Sequence, residues 1–454
     1  MASFIRKYIF RKTKTVADES TEDRIYSLDD FDDTLAIIKK VLWIVGLRLT
    51  LKDSDNARFW FSVFYWFETA NILMAFTLQT METIEDTKGA SSFEDATTLF
   101  RMIPCIGFLP LAILKSYKIT YYESMYENLI NELRSMWPQG KVTEEEHTVI
   151  SKALKQLRIV LKGYYWCNYA LVISCVVPCY IIIIKNIFGK NEPGVLPFLW
   201  WVPFDPLQPI VFEVIVVIQT WHAILVMSFI LSGDLLYFFF ISHITTQFDL
   251  LSIKVNRFIL VPTDQQLIDI YPIAIHYKNF KNKHSPLELV EMQNKKLCEA
   301  IHEKELLDII VRHRTLIRLC KDVETIFSFS LLVSFLNSSV IICFSNFCCV
   351  VIEKWYEFMY KSFLSTTLCQ TWLICWYGQK LLDSGERLSQ SLYSCGWYWT
   401  SQKIKKNIHI MIHRSQRDVC VTTYGFTKIC LASYTAIIKT SWSYFTLLVQ
   451  TYKQ

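Results

Sequence analysis

The last apolar stretch, residues 428–450, constrains the fold most, because it could cross a bilayer yet carries polar residues along one side. At about 1.5 Å per helical residue it matches a hydrocarbon core of about 30 Å, although Lys439 lies near its middle. Small or polar side chains and one leucine share a helical face: Ser433, Ala436, Thr440, Ser443, Leu447 and Gln450. Such a face must contact protein or water, so it predicts either a tight helix-packing face or the lining of a water-filled pathway.

The composition of the whole chain also favours a membrane protein. Hydrophobic residues make up 52% and aromatic residues 15% of the sequence, more than a soluble domain of this length usually carries. The net charge of +5 is too small to indicate a nucleic-acid partner. The first 35 residues are charged and lack a continuous apolar core, so no cleavable signal is predicted and the N-terminus is expected to stay cytosolic.

Seven stretches are predicted membrane helices, which makes the fold class an all-α membrane protein. They are residues 59–81, 97–114, 163–184, 209–231, 326–351, 357–377 and 428–450. An amphipathic stretch at 30–50 is expected at the inner interface, and a polar helical linker is expected from 121 to 162. The fourth helix continues past residue 231 without a break, so long cytosolic helix extensions are predicted.

Basic residues set the predicted orientation. Nearly all lysines and arginines outside the spans fall before span one and between spans two and three, four and five, and six and seven. The opposite segments hold only Lys88, Lys185, Lys190 and Lys354. By the positive-inside rule the N-terminus is cytosolic and, with seven spans, the C-terminus is extracellular. This is the reverse of a G-protein-coupled receptor.

The spans divide the chain into five predicted units. Residues 1–57 form a cytosolic N-terminus with the amphipathic helix, and 58–258 hold spans one to four with an extracellular loop at 185–208. A cytosolic loop with helical portions is predicted at 259–312, and the sequence does not specify the structure of residues 262–305. Spans five and six with a cytosolic anchor segment occupy 313–425, and residues 426–454 form span seven.

Motifs that carry enzyme chemistry are absent from the sequence. His409 and His413 could share a helical face, but no carboxylate completes a metal-binding HExxH pattern. No glycine-rich phosphate loop and no GxSxG nucleophile elbow occur. The chain is therefore predicted not to be an enzyme and to need no cofactor or metal.

Three acidic residues lie within or just past the predicted spans. Asp234 could pair with a basic residue such as Lys115 or Arg158, or it could be a solvated acid on a cytosolic helix extension. Glu68 and Glu213 lie nearer the membrane proper. Each could face water or a hydroxyl group, and the sequence does not decide between these.

Several segments resemble those of the insect odorant receptors, in the same order and over most of the chain from about Asp30 to Tyr452. They are LPFLWWVPFDPLQP at 196–209, the run at 234–252, the run at 312–332, the segments 378–397 and 412–419, and YFTLLVQTYK at 444–453. The last is similar to the final helix of the family's co-receptor. Thr446 and Thr451 depart from its apolar ending, and the loop at about 262–305 matches nothing, which favours a ligand-specific tuning subunit. The related gustatory receptors end in a TY.....QF pattern that this chain lacks.

This resemblance implies a ligand-gated, poorly selective cation channel of four subunits, in which a tuning subunit assembles with the co-receptor. It places the chain in the plasma membrane of a sensory neuron dendrite, in contact with lipid. Each seventh helix would line the central pore, and cytosolic helix extensions would form an intersubunit anchor, with Trp397 as a buried contact. The implied pore and gate residues are Thr440, Ser443, Leu447, Gln450 and Thr451. A ring of Leu447 would close the pore by dewetting.

A small volatile odorant is expected in an apolar pocket within the outer half of the helical bundle. The predicted lining residues are Phe100, Ile103, Tyr169, Ser174, Phe212, Val216, Tyr360 and Phe363. Each of these could instead be ordinary core or a lipid contact. An apolar pocket leaves no motif, so the sequence specifies neither the odorant nor the subunit ratio. A G-protein-coupled chemoreceptor, a gustatory-type chemoreceptor and a transporter are the alternative functions.

Overall fold

The computed structural model describes residues 25–49, 55–88, 97–190, 193–258, 286–351 and 356–453, which form a bundle of long helices. The helices in chain order are α1 (Leu28–Ile44), α2 (Asp55–Lys88), α3 (Thr97–Tyr121), α4 (Glu123–Ser135), α5 (Glu144–Ile187), α6 (Pro209–Phe258), α7 (Pro286–Val351), α8 (Tyr356–Ser394), α9 (Gln402–Ser415) and α10 (Leu431–Lys453). A 3₁₀ turn, Trp397–Trp399, precedes α9. Two short strands, β1 (Ile25–Tyr26) and β2 (Gly140–Lys141), pair antiparallel.

Six of the seven predicted spans lie within one of these helices, namely α2, α3, α5, α6, α7 and α8. The seventh, 428–450, begins three residues before α10 and otherwise lies within it. Within the described residues, five helices are long and apolar enough to cross a membrane by length and composition alone. The five segments are Asn56–Lys88, Met102–Tyr121, Glu144–Ile187, Pro209–Phe258 and His302–Val351. The predicted all-α membrane class is therefore confirmed. Helices α8 and α10 are more polar, with Gln370 within α8 and Lys439 within α10.

Helix α6 is the centre of the subunit. Every residue from Leu225 to Phe248 is buried, because α1, α3, α5, α7 and α8 all pack against it. Its sequence is apolar on all sides over this part, as expected for a helix that is buried all round. The helix runs for 50 residues without an internal proline, which confirms the predicted unbroken extension of the fourth span.

Helix α1 covers one side of α6. It begins with a capping box, in which the Ser27 hydroxyl accepts the Asp29 N–H at 3.2 Å and the Asp30 carboxylate accepts the Ser27 N–H at 3.1 Å. Phe31, Ile38 and other apolar residues at helical spacing form its buried face. The amphipathic pattern at 30–50 therefore serves packing against the helix bundle.

The predicted polar linker is helical but not continuous. Helix α4 ends at Ser135, and the chain turns through Gly140, whose φ of +85° is a left-handed conformation that favours glycine. Helix α5 then begins behind a capping box formed by Thr143 and Glu146. Residues 286–312, predicted as part of a loop with helical portions, are the first part of α7, and residues 259–285 lie outside the described residues.

Candidate ligand cavity and pore face

A cavity of about 50 Å³ lies where α2, α3, α5, α6 and α8 meet the loop before α6. Its wall is made of side chains from α2, α3, α5, the loop before α6, α6 and α8. They are Ala75, Gln79, Cys105, Phe108, Leu109, Leu171, Val172, Cys175, Phe198, Trp200, His222, Ala223, Val226, Met227 and Phe363. Nearly all of this wall is apolar, so the cavity suits an apolar molecule.

The loop before α6 is fixed at two points and closes one side of the cavity. The Gln219 side chain bonds both backbone groups of Phe198: its Nε2 donates to the carbonyl oxygen at 2.7 Å, and its Oε1 accepts the N–H at 3.2 Å. The Trp201 N–H donates to the carbonyl oxygen of Leu78 on α2 at 3.2 Å. These bonds hold Phe198 and Trp200 against the cavity.

Two polar side chains face this apolar cavity with an unmet hydrogen-bonding atom. Gln79 is 3% exposed and His222 is 6% exposed. The Nε2 of Gln79 and the Nδ1 of His222 have no hydrogen-bond partner among the described residues. A buried polar atom without a partner costs about 1–3 kcal/mol, and such atoms are rare in folded proteins. The two atoms can therefore bind a polar group on a molecule that enters the cavity.

One predicted ligand-binding residue lies in this cavity. Phe363 lines it and stacks on Phe108, with ring centroids 5.6 Å apart. Phe212 and Val216 are buried in a separate small cluster with Cys179, nearer the start of α6. These two residues share a helical face, but they do not line this cavity.

The other predicted ligand-binding residues lie within helix packing. The Tyr169 hydroxyl is 2.9 Å from that of Ser228 on α6. Phe100 packs against Phe344 and Phe347 of α7, with ring centroids 5.3 Å apart in each pair. The remaining three are half-buried or buried side chains: Ile103, Ser174 and Tyr360.

Of the cavity residues in the list above, sequence analysis named only Phe363. The residues it missed include two polar side chains and two loop aromatics: Gln79, His222, Phe198 and Trp200. A usable signal existed for Gln79 and His222, since a polar residue within a predicted span indicates a functional or packing role. The loop motif that contains Phe198 and Trp200 contributed to the family resemblance without being assigned to the site. Its position over the cavity depends on Gln219, which no sequence pattern indicates.

Asp234 forms a fully bonded polar cluster three helical turns beyond His222. It is 2% exposed, and its carboxylate accepts from Lys115 Nζ at 2.5 Å, the Tyr164 hydroxyl at 2.8 Å and Gln370 Nε2 at 2.7 Å. The cluster thus joins α3, α5, α6 and α8. Of the alternatives open from the sequence, pairing with Lys115 is confirmed and the solvated acid is wrong.

The other charged residues named from the sequence occupy different environments. Arg158 approaches Asp30 at 3.9 Å and Asp33 at 3.8 Å, on α1, and not Asp234. Glu68 is buried and lies 3.5 Å from the Asn71 amide, whereas Glu213 is exposed.

Another buried polar residue of α6, His243, lies in the extension of the helix beyond the predicted span. His243 is surrounded by the rings of Phe31, Trp137 and Phe239, with centroids 4.6, 5.3 and 4.5 Å away. Its Nε2 is 3.2 Å from the Thr34 hydroxyl. Burial lowers the pKa of His243 from 6.5 to about 3, because this apolar site disfavours the charged ring.

The predicted pore residues form an exposed face of α10 in the single subunit. Leu447 is 59% exposed. The other members of the stripe from Ala436 onward are exposed as well: Ala436, Thr440, Ser443 and Gln450. Thr451 is also exposed, and Ser441 on another face is buried and donates to the Ser339 hydroxyl of α7 at 3.2 Å. Helix α10 therefore packs on α7 and α8 with one side and leaves the polar stripe uncovered.

Trp397 lies in the turn between α8 and α9. It is half-buried, and its indole N–H donates to the carbonyl oxygen of Tyr393 at 3.1 Å. Its role as an intersubunit contact stays a prediction.

Comparison with known proteins gives consistent matches over most of the chain. The family model described as 7tm Odorant receptor matches residues 95–442. Odorant receptor 67c of Drosophila melanogaster is 25% identical over 372 residues, which cover 79% of this chain and 81% of that protein. Odorant receptor 13a of the same species is 28% identical over 298 residues, or 62% of this chain and 63% of that protein.

The fold is also similar to a solved structure. The insect olfactory receptor OR5 from Machilis hrabei, solved in complex with eugenol, superposes with a TM-score of 0.73 at 14% sequence identity. The match covers 93% of this chain and all of that one. The seven long helices predicted from the sequence thus have the arrangement of an insect olfactory receptor.

Proposed function

This chain belongs to the 7tm Odorant receptor family, a family of membrane receptors and not of enzymes, and we propose that it is the ligand-binding subunit of an odorant-gated cation channel. The observation that carries the proposal is the apolar cavity between α2, α3, α5, α6 and α8, with two buried polar atoms that have no partner among the described residues. A cavity of this kind, formed by helices and closed by a fixed loop, is typical of a small-molecule site.

The ligand of this cavity is a small, mainly apolar molecule that carries one hydrogen-bonding oxygen. The Gln79 amide nitrogen is a donor, so it requires an acceptor on the ligand, and the His222 Nδ1 can donate or accept depending on its tautomer. A carbonyl, ether or hydroxyl group meets these needs, whereas a hydrocarbon leaves both atoms unbonded. The related receptor from Machilis hrabei was solved with eugenol, which supports a small organic ligand for this chain.

Ligand entry requires side chains to move. A site for one water needs about 10–15 Å³, so the cavity of about 50 Å³ has room for only a few waters. Met227 lines the cavity, and an unbranched thioether side chain adapts readily to a changed shape. The ligand therefore fills the cavity by rearranging such side chains.

The pore is formed by α10 from each of four subunits, this chain assembling with the family co-receptor in the dendritic plasma membrane of a sensory neuron. The exposed stripe of Thr440, Ser443, Leu447 and Gln450 supports this proposal, because such a face needs water or a protein partner. With the N-terminus cytosolic, Leu447 and Gln450 lie near the extracellular end. There Leu447 forms the apolar gate, and Gln450 and Thr451 present polar groups to ions.

Ligand binding is tested with whole-cell currents from cells that express this chain with and without the co-receptor. A panel pairs each oxygen-containing volatile with a hydrocarbon of the same shape. We expect currents only with the co-receptor, larger responses to the oxygen-containing member, and loss of this preference in Gln79→Leu. The control is Gln208→Leu, the same change at an exposed position outside the cavity. A preference that survives Gln79→Leu contradicts the assigned ligand class.

The pore assignment is tested with Leu447→Ala and Gln450→Lys. The smaller side chain is expected to raise basal current, because water persists in a wider constriction, and the lysine is expected to reduce cation flux. Both effects should be partial in a mixed tetramer. Trp442→Ala, on another face, is the control. If this control alone alters permeation when current is normalised to surface protein, the pore face is assigned wrongly.

The channel mechanism and the orientation have separate tests. Currents in excised patches should persist without nucleotide and with G-protein signalling blocked. An epitope at Met1 should stay unlabelled on intact cells, and labelling there would favour a G-protein-coupled receptor. Uptake of labelled ligand without current would favour a transporter.

A further inference from the structure

Two thiols on neighbouring membrane helices contact each other. Cys167 lies on α5 and Cys369 on α8, and their side chains share a hydrogen bond. The Cys167 sulfur is also 3.9 Å from the hydroxyl of Thr366, one turn before Cys369 on α8. Both cysteines are free thiols, and both are half-buried. Cys167 therefore packs on the face of α8 that carries Cys369.

The hydrogen bonds at Asp234 hold these two thiols side by side. The Tyr164 hydroxyl, from the turn before Cys167, donates to the Asp234 carboxylate at 2.8 Å. The Gln370 amide, from the residue after Cys369, donates to the same carboxylate oxygen at 2.7 Å. The two bonds fix α5 and α8 relative to each other at the level of the thiols. Since a disulfide forms only between cysteines whose backbones are already close, this arrangement favours one here.

The depth of the pair in the membrane allows a small oxidant to reach it. With the predicted orientation, Cys167 and Cys369 lie roughly 6 and 12 Å inside the cytosolic ends of spans three and six, at about 1.5 Å per residue. Hydrogen peroxide is small and uncharged, so it can enter to this depth. The cytosol is reducing, and disulfides that form on its side of a membrane are usually transient and serve redox sensing.

We propose that Cys167 and Cys369 are a reversible modification site, at which hydrogen peroxide forms a disulfide between α5 and α8. One thiol, as its thiolate, attacks a peroxide oxygen and becomes a sulfenic acid, while the O–O bond breaks and the leaving hydroxide takes the thiol proton as water. The second thiol then attacks the sulfenic sulfur, the S–O bond breaks and a second water leaves. Two thiols thus lose two electrons, and one peroxide is reduced to two waters. Cellular thiols reverse the reaction by exchange.

The disulfide restrains the wall of the ligand cavity. Leu171 lies one turn from Cys167, Phe363 lies less than two turns from Cys369, and both line that cavity. Ligand entry requires side chains of this wall to move, so a covalent bond between α5 and α8 opposes it. This consequence rests on the proposed function, whereas the formation of the disulfide does not.

Disulfide formation is tested on membranes of cells that express the full chain with the co-receptor. After treatment with hydrogen peroxide, free thiols are alkylated with N-ethylmaleimide and the digested protein is analysed by mass spectrometry. We expect a linked pair of peptides that contain Cys167 and Cys369, which dithiothreitol separates. The pair should be absent from Cys167→Ser and Cys369→Ser. It should persist in Cys420→Ser, which removes a half-buried cysteine between α9 and α10. Alkylation of both thiols after peroxide, or linkage of either to another cysteine, overturns the proposal.

The effect on the receptor is measured as ligand-evoked current in the same cells, normalised to surface protein. Peroxide should remove most of the current from the parent and from Cys420→Ser, and dithiothreitol should restore it. Cys167→Ser should keep its current under peroxide. Equal loss in Cys167→Ser overturns the effect on ligand response, because the oxidised groups then lie elsewhere. Absence of ligand-evoked current from the untreated parent would instead contradict the proposed function, and the linked peptides would still decide the modification.

Discussion

His222 and Asp234 lie on the same buried helix about three turns apart, yet they differ in the hydrogen bonds that their polar atoms make. The Asp234 carboxylate accepts three hydrogen bonds from three other helices. The Nδ1 of His222 has no partner among the described residues, and His222 lines a cavity. Burial alone therefore does not distinguish a structural polar group from a binding group. The two kinds of group are distinguished by the number of hydrogen bonds that the chain itself supplies to them.

The two arrangements also differ in energy. A buried ion pair gains little over an apolar replacement of both partners, but removing one partner costs about 3–5 kcal/mol. An unbonded buried nitrogen already costs about 1–3 kcal/mol in the unliganded protein, and a ligand that bonds it recovers that free energy. The bonds at Asp234 therefore serve the fold, whereas His222, on the proposed function, would gain its missing hydrogen bond from a ligand.

The largest expected effect comes from Asp234→Leu. The change leaves the Lys115 ammonium buried without its carboxylate, so we expect the free energy of unfolding to fall by about 3–5 kcal/mol and little protein to reach the cell surface. Surface labelling and the unfolding temperature of purified protein measure this. The double change Lys115→Met/Asp234→Leu should restore part of the lost free energy of unfolding, because no unpaired charge remains. Parent-like surface levels for Asp234→Leu alone would contradict the structural role.

The change His222→Phe should weaken the current response to ligand without lowering the stability of the fold. Phenylalanine keeps an aromatic ring but has no nitrogen to leave unbonded, so we expect unchanged or slightly higher stability. The response to an oxygen-containing ligand should need about 5- to 150-fold more ligand, which corresponds to a lost interaction of about 1–3 kcal/mol. Dose–response currents and the unfolding temperature are compared with those of the parent. A large loss of stability would place His222 with Asp234 as a structural group.

His243, also on α6, predicts that the stability of the fold depends on pH. The folded-state pKa of His243 is about 3 against an ordinary value of 6.5, so between these values the unfolded chain binds more protons. This contribution to stability is complete above about pH 6.5 and is lost as the pH falls toward 3, by roughly 2 kcal/mol at pH 5.

His243→Phe should remove this contribution and flatten the loss of stability below pH 6.5, measured as unfolding temperature against pH. His409→Phe, at an exposed position of α9, is the matched control. Equal flattening by both variants would assign the effect to histidines in general and not to the buried site.

The smallest effect is expected at Gly233, beside Asp234. A Cβ there would lie 3.2 Å from the Cβ of Lys115, which requires a shift of a few tenths of an ångström. Alanine favours helix over glycine by about 1 kcal/mol, so the two effects nearly cancel in Gly233→Ala. Gly163→Ala, with nothing within 4 Å of the added Cβ, should stabilise by about 0.5–1 kcal/mol. An equal gain in the free energy of unfolding from both changes would show that the cluster around Asp234 is loosely packed.

Sequence reasoning recovered the helices better than the cavity, for a physical reason. The long apolar run of α6 indicates a buried helix wherever its neighbours lie, and Asp234 could be paired with Lys115 because buried charges require partners. The cavity has no such local signal. Its wall takes only a few residues from each of several helices and a loop, and it is closed by the bonds from Gln219 to Phe198. Only Phe363 among the predicted lining residues lies there.

The uninterrupted length of α6 has a mechanical consequence. From His222 to Asp234 the helix extends roughly 18 Å, and from Asp234 to Phe258 roughly 36 Å, at 1.5 Å per residue. The hydrogen bonds at Asp234 join α6 to three neighbouring helices, so a tilt of α6 would pivot at Asp234. If α6 tilts as a rigid body about Asp234, its Phe258 end moves about twice as far as His222. On the proposed function, a ligand that displaced His222 by a fraction of an ångström would move the Phe258 end of α6 about twice as far.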